Sequence, residues 1–414
     1  MNLPHLWSVA TLTGSRVMAM MLNLVAMTVI ARSLGPHELG IWSIMLALHA
    51  YGVHLGEFGL RSVVTAEAGY VGGACRHLIA NYLSLRLSIS GIVFVMAIVA
   101  SAFMPPDMRL AAVVMAASLF AVSLQLDWIA LARNHAIEAG LLLLVRPLAM
   151  LTLTMLVSGL EHASSVAMIF TASWSLSALV SSITLRAPPP AAAEPLRAPT
   201  LLHLGLPLMA STLISQAQAN LDLLFVGYAF GTREAGYYYL ATAIVTAALV
   251  PANAMGQLAM ARLAPLRGQM DVFRRRLARE LGLAACLALS GAAALALLGP
   301  FLLPMIFGNA FAPAAGPMLY LLPWLVLASL TSVTQGALIA IRRQKTVLWA
   351  NIAMLGMLAL ALPLAGRSGL LEAFAISRAV AECTRLAMLL APMLAGTMPE
   401  SASTPTEQPV GAGR

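Results

Sequence analysis

Charged side chains are scarce in this chain. Only 10% of its 414 residues are Asp, Glu, Lys or Arg, while 60% are hydrophobic. A soluble domain carries about 25% charged residues because its surface must face water. The missing surface charge excludes an ordinary water-soluble globular protein and predicts an exterior that faces lipid.

Cysteine is also nearly absent, and no nucleotide-binding loop is present. Cys75, Cys286 and Cys383 lie on separate predicted elements, without CxxC spacing or a nearby histidine cluster. This pattern favours buried small hydrophobic residues over a metal or redox role. The sequence has no GxxxxGK[ST] pattern, which argues against a nucleotide-driven pump. We therefore expect neither a metal nor a cofactor.

Long apolar stretches dominate what remains. A bilayer core takes roughly 20 apolar residues per helix. Twelve candidate spans lie near 7–31, 39–60, 79–103, 110–131, 140–159, 164–185, 203–229, 236–261, 281–298, 318–341, 347–364 and 369–395. The sequence predicts an all-α polytopic membrane protein with about twelve transmembrane helices. The first stretch is too long for a signal peptide and is expected to remain as the first helix.

The net charge of +8 would suit a nucleic-acid partner, so the placement of the charge matters. With the N-terminus inside, the inner loops hold fourteen Arg and Lys residues, against four in the outer loops. This positive-inside bias predicts cytoplasmic N- and C-termini. It also explains the positive net charge without a nucleic-acid partner. The arginine-rich loop at 262–280 is either a topology anchor in contact with anionic membrane lipids or a specific binding site.

A turn between two apolar stretches occurs twice. Residues 33–42 read Ser-Leu-Gly-Pro-His-Glu-Leu-Gly-Ile-Trp, and residues 229–238 read Ala-Phe-Gly-Thr-Arg-Glu-Ala-Gly-Tyr-Tyr. Four positions of the first copy match the second at one constant offset: Gly35, Glu38, Gly40 and Trp42 against Gly231, Glu234, Gly236 and Tyr238. We infer that one six-helix unit is used twice.

This duplication predicts the domain organisation. An N-terminal six-helix lobe would cover 1–185, and a C-terminal lobe 201–395. A Pro-rich cytoplasmic linker at 186–200 would join them, and a disordered cytoplasmic tail would follow at 396–414. Because six helices return the chain to the same face, the lobes would be parallel pseudo-symmetric copies around a central cavity. The short outer loops argue against an extracytoplasmic catalytic domain.

Fragments in order along the chain resemble one family. They include "ARSLGPHELGIWSIMLAL" at 31–48, "GEFGLRSVVTAEA" at 56–68, "LDWIALARN" at 126–134, "VRPL" at 145–148 and "NLDLLFVGYAFGTREAGYYYLATAI" at 220–244. They are similar to the polysaccharide transporter (O-antigen flippase-type) proteins of the multidrug/oligosaccharidyl-lipid/polysaccharide exporter superfamily. The chain departs from that pattern at 369–373, where Gly-Leu-Leu-Glu-Ala replaces the family's Gly-Ala-Ala run.

The resemblance implies a flippase and not an enzyme. Such proteins move a polyprenyl-diphosphate-linked oligosaccharide from the cytoplasmic to the outer leaflet of the bacterial inner membrane by alternating access. Their cargo serves surface polysaccharides such as O-antigen lipopolysaccharide or exopolysaccharide. The implied partners are this lipid-linked oligosaccharide, membrane lipids, and a polysaccharide polymerase or glycosyltransferases.

Two other functions remain open. A cation-coupled multidrug exporter shares the superfamily but would favour acidic, aromatic cavity walls, whereas aromatics are only 6% of this chain. A membrane-embedded glycan polymerase or glycosyltransferase would need longer outer loops, and Asp107 is alone among prolines in its loop.

Three charged residues near the cytoplasmic side are the first candidate site. A mid-bilayer charge costs at least about 2.5 to 3.5 kcal/mol, so each needs a reason. Helical rise places Arg16, Glu57 and Asp127 at similar depth. Either Arg16 snorkels and the acids pair with it or with Arg61, or Arg16 holds a diphosphate oxygen with an acid as counter-ion. A similar first-helix arginine in flippases of this superfamily supports the second interpretation.

The seventh helix is the most polar span. Ser211, Ser215, Gln218 and Asp222 follow i, i+4, i+7, i+11 spacing, and Asn220 lies in a neighbouring row. These groups suit either a cavity wall that binds sugar hydroxyls or hydrogen bonds between helices.

The last helix carries a charged stripe. Arg378, Glu382 and Arg385 share one face, which suits either an internal salt bridge or a cavity wall. Glu57, Asp222 and Glu382 are also candidates for coupling transport to an ion gradient, since burial favours the protonated carboxyl.

Overall fold

The computed structural model describes residues 3–70, 76–132, 135–157, 159–185, 198–266 and 269–394. Within these ranges the regular elements are helices, with no strand. The α-helices are α1 (Leu3–Glu57), α2 (Leu60–Tyr70), α3 (Arg76–Ser101), α4 (Pro106–Ser123), α5 (Trp128–Ala132), α6 (Ala136–Leu156), α7 (Ala163–Thr184), α8 (Ala198–Phe230), α9 (Thr232–Ala248), α10 (Val250–Leu263), α11 (Met270–Phe307), α12 (Ala315–Ala340), α13 (Gln344–Ser368) and α14 (Glu372–Leu394). Cys75, residues 186–197 of the predicted linker and the predicted tail at 396–414 lie outside the described ranges.

The helices account for about twelve crossings of a membrane. Nine of the described helices are long and apolar enough to span one, and the bent pair α9–α10 is a tenth. The apolar part of α1 has 44 residues, a rise of about 66 Å, which is twice a bilayer core. This helix is broken at Gly35 and so provides two spans. Helix α14 has 23 residues and is long enough for one more, although its charged stripe lowers its hydropathy.

The described residues form two compact units. Unit 1 comprises Met1–Ala241 and Pro300–Pro317, and unit 2 comprises Thr242–Gly299 and Met318–Arg414. Tyr82 and Trp128 are fully buried in the core of unit 1, and Phe273 is fully buried in the core of unit 2. The lobe boundaries at 1–185 and 201–395 stay a prediction.

The first glycine of each copy of the repeated turn has a positive φ. Gly35 has φ 70° and Gly231 has φ 95°, in the left-handed region that favours glycine. Each glycine ends one helical segment and redirects the chain into the next. The repetition predicted from residue types therefore extends to the positive φ of this glycine.

The second glycine of each copy brings the two copies into direct contact within unit 1. A Cβ on Gly40 would lie 1.6 Å from the carbonyl oxygen of Thr232. A Cβ on Gly236 would lie 2.1 Å from the carbonyl oxygen of Pro36. Pro36 and Thr232 occupy equivalent positions at the offset that relates the two glycines. The contact is therefore reciprocal, as in a two-fold arrangement of identical surfaces.

Two further local features support the helices. Glu38 accepts a 2.7 Å hydrogen bond from the backbone N–H of Ala163, at the start of α7. A carboxylate there compensates the positive end of the helix. The α9–α10 pair bends by 41°, with Pro251 in the first turn of α10.

Candidate functional site

A cavity of about 290 Å³ lies within the helices of unit 1. Its walls come from α1, α6, α7, α8 and α9, with Leu46 and Val53 among the apolar residues. The polar and aromatic residues that define its chemistry are His49, His54, Arg146, Trp174, Asn220 and Tyr239. No aspartate or glutamate is among the described residues that line it.

Arg146 is the charged residue of this cavity. It lies ten residues from each end of α6, Ala136 and Leu156. At 1.5 Å per residue, the guanidinium-bearing position is about 15 Å from either helix end. A side chain at that depth does not easily reach either membrane surface, so its charge must be accommodated inside the protein.

The contacts of Arg146 leave much of its hydrogen-bonding capacity unused. The guanidinium carbon lies 5.0 Å from the ring centroid of Trp174, a cation–π contact. Nη2 donates to Oδ1 of Asn23 at 3.4 Å. No carboxylate among the described residues forms an ion pair with Arg146. Because a guanidinium has five N–H donors, the cavity is rich in donors and carries uncompensated positive charge.

His49 forms the wall next to Arg146. Its Nδ1 lies 3.2 Å from the carbonyl oxygen of Met115 and 3.2 Å from Oγ of Ser118. A carbonyl oxygen can only accept, so Nδ1 carries the hydrogen in the neutral ring. Nε2 is then a bare acceptor, and it is buried without a hydrogen-bond partner among the described residues. Phe170 packs edge-on against the ring at 5.1 Å.

Asp222 lies beside the cavity but is already hydrogen-bonded. Its side chain is completely buried. Tyr238 donates its O–H to Oδ2 at 2.7 Å, and the backbone N–H of Leu223 donates to Oδ1 at 2.9 Å. Its neighbours in sequence and space, Asn220 and Tyr239, both line the cavity. The Asp222–Tyr238 pair therefore ties α8 to α9 behind the cavity wall.

The predicted row on α8 runs from an exposed to a buried position. Ser211 and Ser215 are exposed, and Ser215 Oγ donates to the Ser211 carbonyl at 3.1 Å. Gln218 is partly buried, and Asp222 is fully buried. Asn220, from the neighbouring row, borders the cavity.

The predicted charged residues Arg16, Glu57 and Asp127 do not gather around Arg16. The two acids lie mainly around Arg61. Arg61 Nη2 lies 2.6 Å from Oδ2 of Asp127, and Glu57 interacts electrostatically with Arg61. This agrees with the interpretation in which the acids pair with Arg61. Arg16 is exposed and makes no ion pair with a described residue, so the structure does not bring it together with Asp127.

The stripe on α14 packs within unit 2. The guanidinium carbon of Arg378 lies 4.2 Å from the ring centroid of Trp324 on α12. Arg385 contacts Glu382 at 3.5 Å and donates to Oε1 of Gln335 at 2.6 Å. Arg378 and Glu382 are both buried. The three charged residues share one helix face, as the spacing predicts.

Arg146 is the residue that sequence reasoning missed. The motif "VRPL" is part of the family resemblance, but its arginine is not among the predicted site residues. The signal was available, because a single charge in the middle of a 21-residue apolar helix is costly unless it has a function. His49 carried no such signal, since a neutral histidine is tolerated in a helix of this kind.

These features define a class of protein: a multi-pass helical membrane protein with a polar cavity within its spans. Its fold is that of transporters of the MOP superfamily. It is similar to an inward-facing multidrug resistance MATE family transporter of that superfamily, with TM-score 0.68 and 16% identity over 92% of this chain and 94% of that one. It is also similar to the lipid II flippase MurJ in an inward closed conformation, with TM-score 0.73 and 13% identity over 92% and 87%.

A third structure with this fold is a MOP superfamily transporter from Pyrococcus furiosus, for which a reversed polarity of the binding pocket suggested a different function. Its TM-score is 0.55, at 15% identity over 94% of this chain and 95% of that one. At such identities, the similarities establish the fold alone.

The family follows from the sequence. The model of the polysaccharide biosynthesis protein family matches residues 29–316, well over half of the chain, and the protein belongs to this family. No curated protein sequence matches it significantly.

Proposed function

We propose that this protein is a flippase. It moves a polyprenyl-diphosphate-linked oligosaccharide from the cytoplasmic to the outer leaflet of the bacterial inner membrane by alternating access, without altering it chemically. The cargo serves a surface polysaccharide such as O-antigen lipopolysaccharide or an exopolysaccharide. The observation that carries the proposal is a cationic cavity around Arg146, with no acid among its described lining residues, in a member of the polysaccharide biosynthesis family.

The charge of the cavity supports an anionic cargo. A lipid-linked oligosaccharide carries its only fixed charges on the diphosphate, while its glycan and lipid are neutral in the simplest case. A planar guanidinium bonds two phosphate oxygens at once, and it does so most strongly away from water. Arg146 has free donors and a mid-membrane position, so it suits a headgroup on its way between leaflets.

The cation-coupled multidrug exporter is the second candidate, supported by the similarity of the fold to a MATE family transporter. An organic cation in this cavity would meet Arg146 without a carboxylate among the described lining residues to compensate it. Like charges in a low-dielectric space repel strongly, so the cavity favours the flippase. Among the described residues, we find no structural feature that favours a glycan polymerase or glycosyltransferase.

Deletion of the gene in its native host tests the proposal. We expect a lipid-linked oligosaccharide to accumulate with its glycan on the cytoplasmic side, together with loss of one surface polysaccharide. The measurement is mass spectrometry of extracted lipids, with a membrane-impermeant lectin or glycosidase to assign the leaflet. Susceptibility to a panel of cationic drugs should be unchanged.

The opposite pattern would identify an exporter. Hypersensitivity of the deletion strain to organic cations, with no trapped lipid-linked intermediate, contradicts the flippase. Complementation by the wild-type gene and failure of Arg146→Gln at equal protein level would assign the effect to the cavity.

A further inference from the structure

We propose that the unit 1 cavity binds one phosphate-class anion at Arg146 and that His49 takes up one proton at Nε2 when the anion binds. The inference rests on the proposed function for the identity of the natural anion, the diphosphate of the lipid-linked cargo. The binding itself is a property of the cavity and is testable without that cargo.

The size of the cavity selects a small group. A volume of about 290 Å³ corresponds to roughly ten water molecules at about 30 Å³ each. A diphosphate fits such a volume.

The donors of the cavity suit an anion. Arg146 keeps most of its N–H groups unbonded to described residues. The Asn220 amide and the Tyr239 hydroxyl line the same space, and neither makes a side-chain hydrogen bond to a described residue. Three kinds of donor from α6, α8 and α9 thus surround one volume, and none of its described lining residues is an acid.

The charge balance brings His49 into the site. A diphosphate diester carries two negative charges, and Arg146 provides one positive charge. A buried charge that remains uncompensated is costly, so the complex is stabilised by one more positive charge nearby. His49 can supply it, because Nδ1–H is held by Met115 and Nε2 is the ring nitrogen without a described partner.

The empty cavity disfavours this protonation. A protonated His49 would share the cavity wall with the Arg146 guanidinium, and two cations in a space of low dielectric constant repel each other. The anion removes that repulsion. The proton comes from solvent, binds at Nε2 with the anion and leaves when the anion leaves, so the two binding events are linked.

The other groups around His49 do not supply the missing charge as directly. Helices α4 and α7 present uncharged residues to the ring, namely Ser118, Met115 and Phe170. The remaining titratable or charged groups near the cavity are Arg146 on α6, His54 and Tyr51 on α1, Asp222 on α8 and Tyr239 on α9. Asp222 is held by Tyr238, which leaves His54 as the competing proton site.

The test is anion binding to the purified full-length protein by isothermal calorimetry. The probe is P1,P2-dimethyl diphosphate, whose two charges do not titrate near neutral pH. Measurements at pH 6.5, 7.5 and 8.5, each in two buffers of different ionisation enthalpy, give the affinity and the number of protons taken up. We expect close to one proton per anion at the higher pH values, and an affinity that falls about tenfold per pH unit there, as linkage to one proton requires.

Single substitutions separate anion binding by Arg146 from proton uptake by His49. Arg146→Gln should weaken binding about tenfold to a hundredfold at every pH, and Arg146→Lys should recover part of it. His49→Gln should bind with an affinity that no longer depends on pH and with no proton uptake. Arg109→Gln, which is not among the cavity-lining residues, is the control and should behave as the wild type. His54→Gln tests the competing proton site and should keep the pH dependence of the wild type. Thermal unfolding of each variant verifies that it is folded.

Several outcomes overturn the inference. These are pH-independent binding by the wild type, wild-type affinity of Arg146→Gln, or loss of the pH dependence in His54→Gln instead of His49→Gln. Competition by undecaprenyl diphosphate would identify the ligand as the lipid headgroup. Binding of inorganic phosphate without such competition would identify it as free phosphate.

Failure of this inference can be distinguished from failure of the flippase proposal. If the deletion strain accumulates no lipid-linked intermediate but the purified protein still binds the anion together with a proton, the flippase proposal is wrong and the anion site is supported. If the intermediate is trapped but His49→Gln binds with unchanged pH dependence, the flippase stands and the proton site is wrong.

Discussion

Asp222 shows how hydrogen bonds can stabilise a single acidic side chain that is buried in a membrane protein. The sequence makes it a candidate for both cargo binding and ion coupling. In the structure, its carboxylate accepts hydrogen bonds from Tyr238 and from the backbone of Leu223. These bonds compensate the loss of hydration that burial entails. Ion coupling by Asp222 stays a prediction, and any such role would have to include the tyrosine.

Tyr238→Phe is predicted to destabilise the protein. The substitution removes the hydroxyl donor from a fully buried carboxylate, which costs about 1 to 3 kcal/mol. The apparent midpoint of thermal unfolding in detergent should fall. Tyr228→Phe is the matched control, because Tyr228 is 89% exposed, and should leave the midpoint unchanged. An unchanged midpoint in Tyr238→Phe would mean that the hydrogen bond from Tyr238 to Asp222 does not contribute to stability.

At this scale, sequence reasoning placed residues of one helix on a shared face. The spacing put Arg378, Glu382 and Arg385 on one face of α14, and the structure finds Glu382 and Arg385 in contact. It could not decide that Asp127 pairs with Arg61, 66 positions away, in preference to Arg16. That choice depends on how each helix is rotated about its axis, which residue types alone do not determine.

The repeated turn is the feature that matters most at the scale of the elements. Its first glycine ends one helical segment, and its second allows the two copies to touch backbone to backbone. The sequence predicts the repetition because the same residue types recur. It does not predict the reciprocal contact, since two similar segments need not meet in space.

Gly40→Ala is predicted to disrupt unit 1. The new methyl group would lie 1.6 Å from the Thr232 carbonyl oxygen, so the helices must separate. Overpacking of this kind typically lowers the free energy of unfolding by about 1 to 3 kcal/mol. We expect a loss at the upper end of this range, because a backbone carbonyl cannot move aside as a side chain can. The yield of folded protein on gel filtration and its thermal midpoint should both fall.

The control for this variant is Gly91→Ala. A Cβ at Gly91 on α3 would have open space around it, and alanine favours a helix by about 1 kcal/mol over glycine. It should leave stability unchanged or raise it. Equal behaviour of the two alanine variants would show that the close contact is absent in solution.

At the scale of the whole molecule, the bilayer makes the architecture predictable. Each crossing needs a long apolar helix, and such stretches are visible in the sequence without knowledge of their neighbours. The twelve predicted spans therefore correspond to described helices, while the short helices α2 and α5 were not predicted. The cavity was not located in advance, because it forms between five helices that are distant in sequence.

Labelling of introduced cysteines tests the orientation that the positive-inside bias predicts. In a chain without its three natural cysteines, His37→Cys and Arg233→Cys should react with an impermeant maleimide added to intact spheroplasts. Arg275→Cys and Gln344→Cys should react only after lysis, because their loops face the cytoplasm in this topology. The same labelling pattern from all four positions, or its inversion, would contradict the predicted orientation.

The contact between the two turns also constrains how the protein can change over evolutionary time. A clash with a side chain can be relieved by a smaller residue at the second position, but Gly40 and Gly236 each face a carbonyl oxygen, which every amino acid carries. No second-site replacement can therefore restore room for a larger residue at either place. Drift that freely alters the membrane-facing surface should leave these two positions unchanged for as long as the two turns remain in contact.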